Sequence, residues 1–361
     1  MGGADRVRGA AGEERVRALL EATPAPTPRD DGFRAPAEWE PHRACLMAWP
    51  TRTRLPMWGE LFEDAKRDYA AVAAAIAAFE PVVMVVDPAQ EDEARRMLPS
   101  EVELLPLPID DSWMRDNGPI FVRDDRGRVA MVHFRFNAWG EKFHPYDRDA
   151  EVPRLLAEHL GVRRYEAPLV LEGGSVLVDG EGTLLTTEQC LLHPNRNPHL
   201  GREEIEELLR AYLGVDVVVW LGRGHSADRD TDGHVDGIAQ YAAPGVVLLL
   251  APADSADPDH ASGAENLRRL EAARDAAGRP IRVVRVDPGV ANGIPYLNCY
   301  LPNGGVIVPV AGGPEDEAAV AQISAAFPDR EVVRVPGRTL MAGGGGPHCI
   351  TQQVPEGSFV R

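Results

Sequence analysis

Near its C-terminal end the chain reads MAGGGGPHCITQQ, which sets Cys349 just beyond the glycines Gly343 to Gly346 and directly after Pro347 and His348. Glycine accepts dihedral angles closed to other residues and carries no side chain, so this backbone can approach a ligand closely and hold a thiol at the floor of a pocket. A nucleophile would be placed there. Two other strings supply what a reactive thiolate needs. GHVDG carries His234 and Asp236, and DDSWMRDNGP carries Trp113 and Asp116. Together the three strings point to covalent chemistry on a cation.

In an extended GHVDG, residues i and i+2 share a face, so His234 and Asp236 project into one site. Alone, such a pair is as often a metal-ligand set or a structural pair as a catalytic unit. Metal would want further His and Asp clusters, and the other histidines stand mostly isolated beside Pro, Asn or Gly, so no metal is expected. DDSWMRDNGP is costly to bury without a partner. Asp110 and Asp111 read as solvated loop residues, whereas Trp113 and Asp116 offer an aromatic wall and an anionic acceptor for a planar cation, with guanidinium the natural guest. In LEGGSVLVDG, Glu172 precedes Gly173 and Gly174, which lets the chain present a carboxylate at a strand end and orient His234; an exposed turn glutamate is the plainer alternative. Asp230 or Asp232 could hold a distal ammonium, or serve as turn residues.

These residues need a scaffold that brings distant strings together. A chain of 361 residues can bury a substantial core. Its net charge of −18 opposes nucleic-acid binding and suits a small cationic partner, besides favouring solubility. No apolar run approaches the roughly eighteen residues of a membrane span, and the N-terminal MGGADRVRGAAGEERVRALLEA has charges where a signal peptide needs an apolar stretch. No membrane partner and a cytoplasmic location are the expectations. Cys45, Cys190, Cys299 and Cys349 are scattered with no CxxC pair, which favours neither disulfides nor structural zinc.

Residues 1–30 read as an extension, with a short amphipathic helix near Glu13 to Glu21 and then a Pro-rich stretch; residues 31–361 read as one domain without a dividing linker. Within it short β-rich runs alternate with helical patterns, which predicts an α/β fold. Strands are predicted at ACLMAW, PVVMVV, VAMVHFRF, SVLVDG, TLLTTE, VDVVVWL, GVVLLL, IRVVRV, GVIVPV and REVVRV. Helices are predicted at DAKRDYAAVAAAIAAF, REEIEELLRAYL, SGAENLRRLEAARDAAG and EDEAAVAQISAAF. The hairpins SVLVDGEGTLLTTE and NCYLPNGGVIVPV interrupt simple alternation, so a strand, strand, helix, strand unit used several times fits better.

From about Phe33 to Gln353 the chain resembles the agmatine deiminase branch of the guanidine-modifying superfamily, the penteins. The resemblance is carried in order by FRAPAEWEPH, MAWP, DDSWMRDNGP, FNAWG, LEGGSVLVDGEGTLLTTEQCLL, PNRNPHL, GHVDG, NGGVIVP, FPDREVV and GGGGPHCITQQ. It implies five pseudo-symmetric ββαβ modules forming an α/β propeller around a central channel, no metal or organic cofactor, a small guanidine substrate, and a homo-oligomer as one option. It implies Cys349 as nucleophile, His234 as general acid and base, Glu172 as its partner, and Asp116 and Asp236 as guanidinium ligands. Trp113 would line the same site, and Gly346 lies in the loop that shapes it. The chain departs from many relatives at Gly346 and Pro347, where they read GGGNIHC, and at Asp232 and Gly237, where they often have Asn. The implied reaction converts agmatine to N-carbamoylputrescine and ammonia, a step of polyamine synthesis. Alternatives are an amidinotransferase, a deiminase of another alkylguanidine or of peptidylarginine, a metal-dependent hydrolase built on His234 and Asp236, a papain-like hydrolase, and a polyamine-binding protein without catalysis.

Overall fold

The computed structural model describes residues 26–289 and 292–361. The helix expected near Glu13 to Glu21 lies outside them. Among the described residues the strands form five separate sheets, and one connectivity recurs in all five. A first strand pairs antiparallel with a second, the chain crosses through a helix, and a third strand returns parallel to the second.

In the first unit, Ile120–Asp124 and Arg128–Arg135 lead through helix Asp147–Leu160 to Arg164–Val170. In the second, Val176–Val178 and Thr183–Thr187 lead through Arg202–Leu213 to Val217–Leu221. In the third, Ala239–Ala243 and Val246–Leu250 lead through His260–Ala272 to Arg282–Val286. The fourth reduces its first strand to a bridge from Tyr300 to Ile307, then runs from Gly305–Val310 through Glu317–Ala326 to Glu331–Pro336. The fifth joins both ends of the described chain: Thr351–Pro355 pairs antiparallel with His42–Ala48, helix Phe62–Ala77 follows, and Val82–Val86 and Glu103–Pro106 complete the sheet.

Local pattern explains these elements. Helix Phe62–Ala77 buries Phe62, Ala65, Tyr69, Val72, Ala73 and Ile76, a stripe at three-to-four spacing that faces its sheet. Arg202–Leu213 buries Ile205, Leu208, Leu209 and Tyr212 and stops where Gly214 turns left-handed at φ 66°. All ten predicted strands and all four predicted helices are present. Helix Asp147–Leu160 was not predicted, because Pro153 and a dense set of charges mask its stripe of Val152, Leu156 and Ala157. Strands such as Thr351–Pro355 and Ala239–Ala243 escaped because neither the polar TQQVP nor the alanine-rich AQYAA contains a β-branched apolar run. Among the described residues no helix is long and apolar enough to cross a membrane.

Candidate active site

The last strand of each unit is followed by a link to the first strand of the next, and every candidate residue sits in one of these links. Trp113 and Asp116 lie between Glu103–Pro106 and Ile120–Asp124, and Glu172 between Arg164–Val170 and Val176–Val178. His234 and Asp236 lie between Val217–Leu221 and Ala239–Ala243, and Cys349 between Glu331–Pro336 and Thr351–Pro355. The fifth link carries Asn298, which no local signal in the sequence singled out. GHVDG is not extended as expected: Val235–Gly237 is a single 3-10 turn, because the carboxylate of Asp228 accepts the backbone N–H groups of Gly233 at 2.8 Å and His234 at 3.2 Å and curls the chain.

The convergence centres on Gly174. A methyl group placed there would lie 2.5 Å from His234 Nδ1, 2.9 Å from Asp116 Oδ1 and 2.9 Å from Asp236 Oδ2. Only a bare Cα lets these three groups close over one point. Cys349, 5% exposed, has its Sγ 3.5 Å from Asp236 Oδ2. Asn298 brackets the thiol, its Nδ2 donating to Sγ at 3.1 Å and its Oδ1 accepting from the Cys349 N–H at 3.2 Å.

The charges are buried and paired in a chain. Arg196, in the PNRNPHL string, donates from Nε to Glu172 Oε1 at 2.7 Å; against the cost of burial it holds Glu172 below the usual carboxylate range. Burial opposes protonation of His234, but Asp116, with Cys190 and Glu172, raises its pKa well above the usual value. The His234 nitrogens stand 3.8 Å from Asp116 and 3.7 Å from Glu172, beyond hydrogen-bond reach, and neither has a protein hydrogen-bond partner. The neighbouring carboxylates favour its charged form, and both ring nitrogens are uncommitted. On the other side His348 donates from Nδ1 to Asp236 Oδ2 and from Nε2 to Glu38 Oε2, each at 2.8 Å. With both nitrogens on carboxylates it is an imidazolium, and despite burial it keeps Asp236 below its ordinary range. Asp116 has no such partner. Burial, with Asp236 and Glu172 nearby, pushes it up to about 6 although His234 pulls it down.

The free thiol is not activated. Burial and the carboxylates of Asp236 and Asp116 raise Cys349 well above an ordinary cysteine, against the Gly346 N–H and the Asn298 amide. A thiolate needs an added positive charge.

Asp116 is fixed by an unusual turn. Ala138, Trp139 and Glu141 all have positive φ, at 50°, 55° and 61°, with Gly140 at 89° between them. Non-glycine residues pay about 1–2 kcal/mol each for this conformation. Asn137 holds it by accepting from the Gly140 N–H at 2.9 Å, and Phe136 and Phe143 pack edge-on against the Trp139 ring. The turn delivers Trp139 Nε1 to Asp116 Oδ2 at 2.9 Å, while the Gly174 N–H donates to Asp116 Oδ1 at 2.9 Å. This places strain at the site.

Two cavities meet at the sulfur. One, about 310 Å³ with solvent included, is walled by Met57, Trp113, Trp139 and Phe143 and holds Asp116 and Asp230. The other, about 470 Å³, holds His234, Asp236, Asn298, His225 and Met341. They share Thr231, Gly344 and Cys349. Trp113 stacks on Trp58 at 5.9 Å, and a methyl on Gly345 would lie 2.7 Å from the Trp113 ring and 3.0 Å from Sγ. The glycine run thus permits an aromatic wall against the thiol.

Asp230 lines the aromatic cavity, and its carboxylate has no hydrogen bond among the described residues. Asp232 does not: it accepts from Arg196 at 2.8 Å, Asn195 at 2.9 Å and Lys142 at 2.7 Å and faces elsewhere. Gly346 packs on Asn298, and it is Gly344 and Gly345 that border the cavities. Asp110 and Asp111 are buried rather than solvated, because Arg54 donates to Asp111 at 2.6 Å and Asp149 accepts both of their backbone N–H groups. His348 and Trp139 lay in strings already noted, but nothing local assigned them a partner. For metal, the one group of three donors among the described residues is Glu172, Cys190 and His234, within 4.8 Å of one another, and Arg196 already occupies Glu172 as its cation.

The sequence profile of the Porphyromonas-type peptidyl-arginine deiminase family matches residues 34–355. An agmatine deiminase of Pseudomonas aeruginosa (strain UCBPP-PA14) is 43% identical over 92% of this chain and 98% of its own. One of Ectopseudomonas mendocina (strain ymp) is 43% identical over 91% and 97%. The solved agmatine deiminase of Enterococcus faecalis superposes with a TM-score of 0.87 at 36% identity, covering 92% of this chain and 98% of that one. A mixed α/β fold of several small sheets, a profile match across nearly all described residues and relatives matched end to end agree: the chain belongs to the Porphyromonas-type peptidyl-arginine deiminase family.

Proposed function

We propose that this chain hydrolyses the guanidinium of agmatine to N-carbamoylputrescine and ammonia, through a covalent amidino-thioether on Cys349. The five sheets are read as blades of one pseudo-symmetric propeller, in a single catalytic domain from residue 31 on, with the five links at one end of its central channel. The observation that carries the proposal is the closure of Asp116, Asp236 and His234 over Gly174 beside the Cys349 sulfur.

A guanidinium stays protonated at any physiological pH, and its delocalised charge makes the central carbon a poor electrophile until it is gripped. Asp116 and Asp236 supply acceptors for its N–H edge, and Trp113 supplies a flat wall. The arriving cation offsets the carboxylates that hold the thiol protonated, so substrate itself lowers the Cys349 pKa and the thiol proton passes to solvent. Attack by sulfur forms the S–C bond. His234, already an imidazolium, protonates a terminal nitrogen, which leaves as ammonia. The neutral ring then takes a proton from water as it attacks, and sulfur departs with the bonding electrons. Glu172 steadies the charged ring, and the Asn298 amide donates to the thiolate at each end of the cycle. Asp230, half-buried and with its pKa raised by burial and by Asp228, is the acceptor for the ammonium tail.

The test is to incubate the protein with agmatine, arginine, an arginyl peptide and simple alkylguanidines, following ammonia and ureido product with and without chelator. Agmatine turnover insensitive to chelator is expected, with Cys349→Ser inactive but still binding agmatine. Turnover by Cys349→Ser, or loss of activity on chelation, would overturn the mechanism.

A further inference from the structure

Two cavities open on one sulfur, and their linings differ in kind. The aromatic cavity contains Asp230, whose carboxylate is uncommitted. In the second, the side chain of Asp228 is consumed by the backbone and Thr231, accepting from the N–H groups of Asp230, Thr231, Gly233 and His234. Asp236 is paired with His348 through Oδ2, and its remaining acceptor capacity goes to the guanidinium itself. The second cavity therefore has no free anion for an ammonium tail, and Gly237, Gly293, Pro295 and Met341 make much of its wall. It suits small neutral species.

Its position fits a role in the reaction, a role that rests on the deiminase reading. With the tail on Asp230, the terminal nitrogens of the guanidinium point past Cys349 to His234, which lines the second cavity. The group that His234 protonates leaves into that space. Because His234 serves both half-reactions, the incoming nucleophile must take the position the leaving group vacated, so water enters where ammonia left.

We infer that this second cavity is a port for small neutral nucleophiles, and that the chain accordingly also condenses the bound amidino group with small primary amines to give N-substituted guanidines. The tail stays attached throughout. In the adduct R–NH–C(=NH2+)–S–Cys349, the free-base amine attacks the central carbon and gives up a proton to His234. The C–S bond breaks with its electrons on sulfur, releasing R–NH–C(=NH2+)–NHR′ and thiolate. No oxidant or reductant takes part. Ammonia acting in this way reverses the first half-reaction.

The probes are hydroxylamine, methylamine and [15N]ammonia, added to the wild-type protein turning over agmatine. Mass spectrometry should find N-hydroxy- and N-methyl-substituted agmatine growing at the expense of the ureido product, and 15N entering unreacted agmatine. Cys349→Ser should form none. Met341→Trp narrows the port and should cut both kcat and amine capture about tenfold, a barrier change of roughly 1.4 kcal/mol, with little change in the KM for agmatine. If that variant fails to fold, the wild-type capture experiments decide alone. Ureido product with no substituted guanidine and no 15N exchange overturns the port while leaving the deiminase standing. A Met341→Trp variant with raised KM and unchanged kcat overturns it too, by placing the tail in the second cavity. Absence of ammonia release from agmatine overturns both readings.

Discussion

Replacing Asp116 with Asn should make the protein inactive and, at neutral pH, relatively more stable. Of the two proposed clamp carboxylates Asp116 is the one with no cation hydrogen-bonded to it, His234 standing 3.8 Å away, and burial beside Asp236 and Glu172 lifts its pKa from 3.8 to about 6. Its folded-state pKa lies above the unfolded one, so the native state binds the proton more tightly. The contribution of this group to stability falls as pH rises from 3.8 through about 6. At about 1.36 kcal/mol per unit, keeping the carboxylate ionised costs the fold about 3 kcal/mol above that window. Asn carries no charge to desolvate and has no such dependence. It also resembles the protonated acid in offering one good acceptor to the two donors, Trp139 Nε1 and the Gly174 N–H. Urea unfolding of parent and variant near pH 4 and pH 7.5 should therefore give similar stabilities in acid and a shift of about 3 kcal/mol toward the variant at the higher pH. Activity moves the other way. Loss of a charged acceptor for guanidinium should lower kcat/KM at least about a hundredfold, and the parent's own kcat/KM should fall below pH about 6 as Asp116 protonates. A variant destabilised equally at both pH values, with unchanged m, would refute the claim that the clamp is held ionised at a cost.

His348→Gln removes the cation shared by Asp236 and Glu38 and should destabilise by about 3–5 kcal/mol; the parent's contribution here is present above the unfolded carboxylate range and lost as pH falls through the depressed folded values, about 2 for Glu38. The acid limb of kcat/KM, set by Asp116 in the parent, should steepen as Asp236 rises toward the same range, and a limb unchanged in slope and position would show that loss of His348 does not raise Asp236 that far. Gly174→Ala pushes a methyl into the space where His234, Asp116 and Asp236 meet and should abolish turnover while the thermal midpoint shows a folded protein; near-normal kcat would contradict the convergence. Asp230→Asn should raise the KM for agmatine about tenfold or more, as expected for a lost charged contact worth roughly 1.5 kcal/mol or more, and leave a tail-less alkylguanidine unaffected. Equal effects on both substrates would remove Asp230 from tail binding.

How much of the site was legible in the sequence differs by residue. Cys349, which combines glycine freedom with a reactive side chain, announces itself locally, whereas Glu172 before Gly173 reads in isolation as an exposed turn glutamate and gains a role only beside the other strings. Apolar periodicity likewise revealed the four well-patterned helices and ten strands. Helix Asp147–Leu160 was hidden because its stripe is narrow and interrupted by Pro153. Asp110 and Asp111 read as solvated because the groups that make their burial tolerable, Arg54 and Asp149, are remote in sequence. Asn298 could have been sought from the recurring unit itself: five units imply five links, and four had already yielded a candidate.

What the amino-acid order alone determined, then, is the inventory: a thiol among glycines, the imidazole, the carboxylates, and a repeating unit able to carry them. Tertiary structure decided their electrostatic state. Asp236 and His348 are 112 residues apart, and His348 and Glu38 are 310 apart. Whether a carboxylate is paired and charged at no great cost, like Asp236, or ionised under strain, like Asp116, depends on which distant charge the fold sets against it in a dry interior. Local sequence carries no record of that distance.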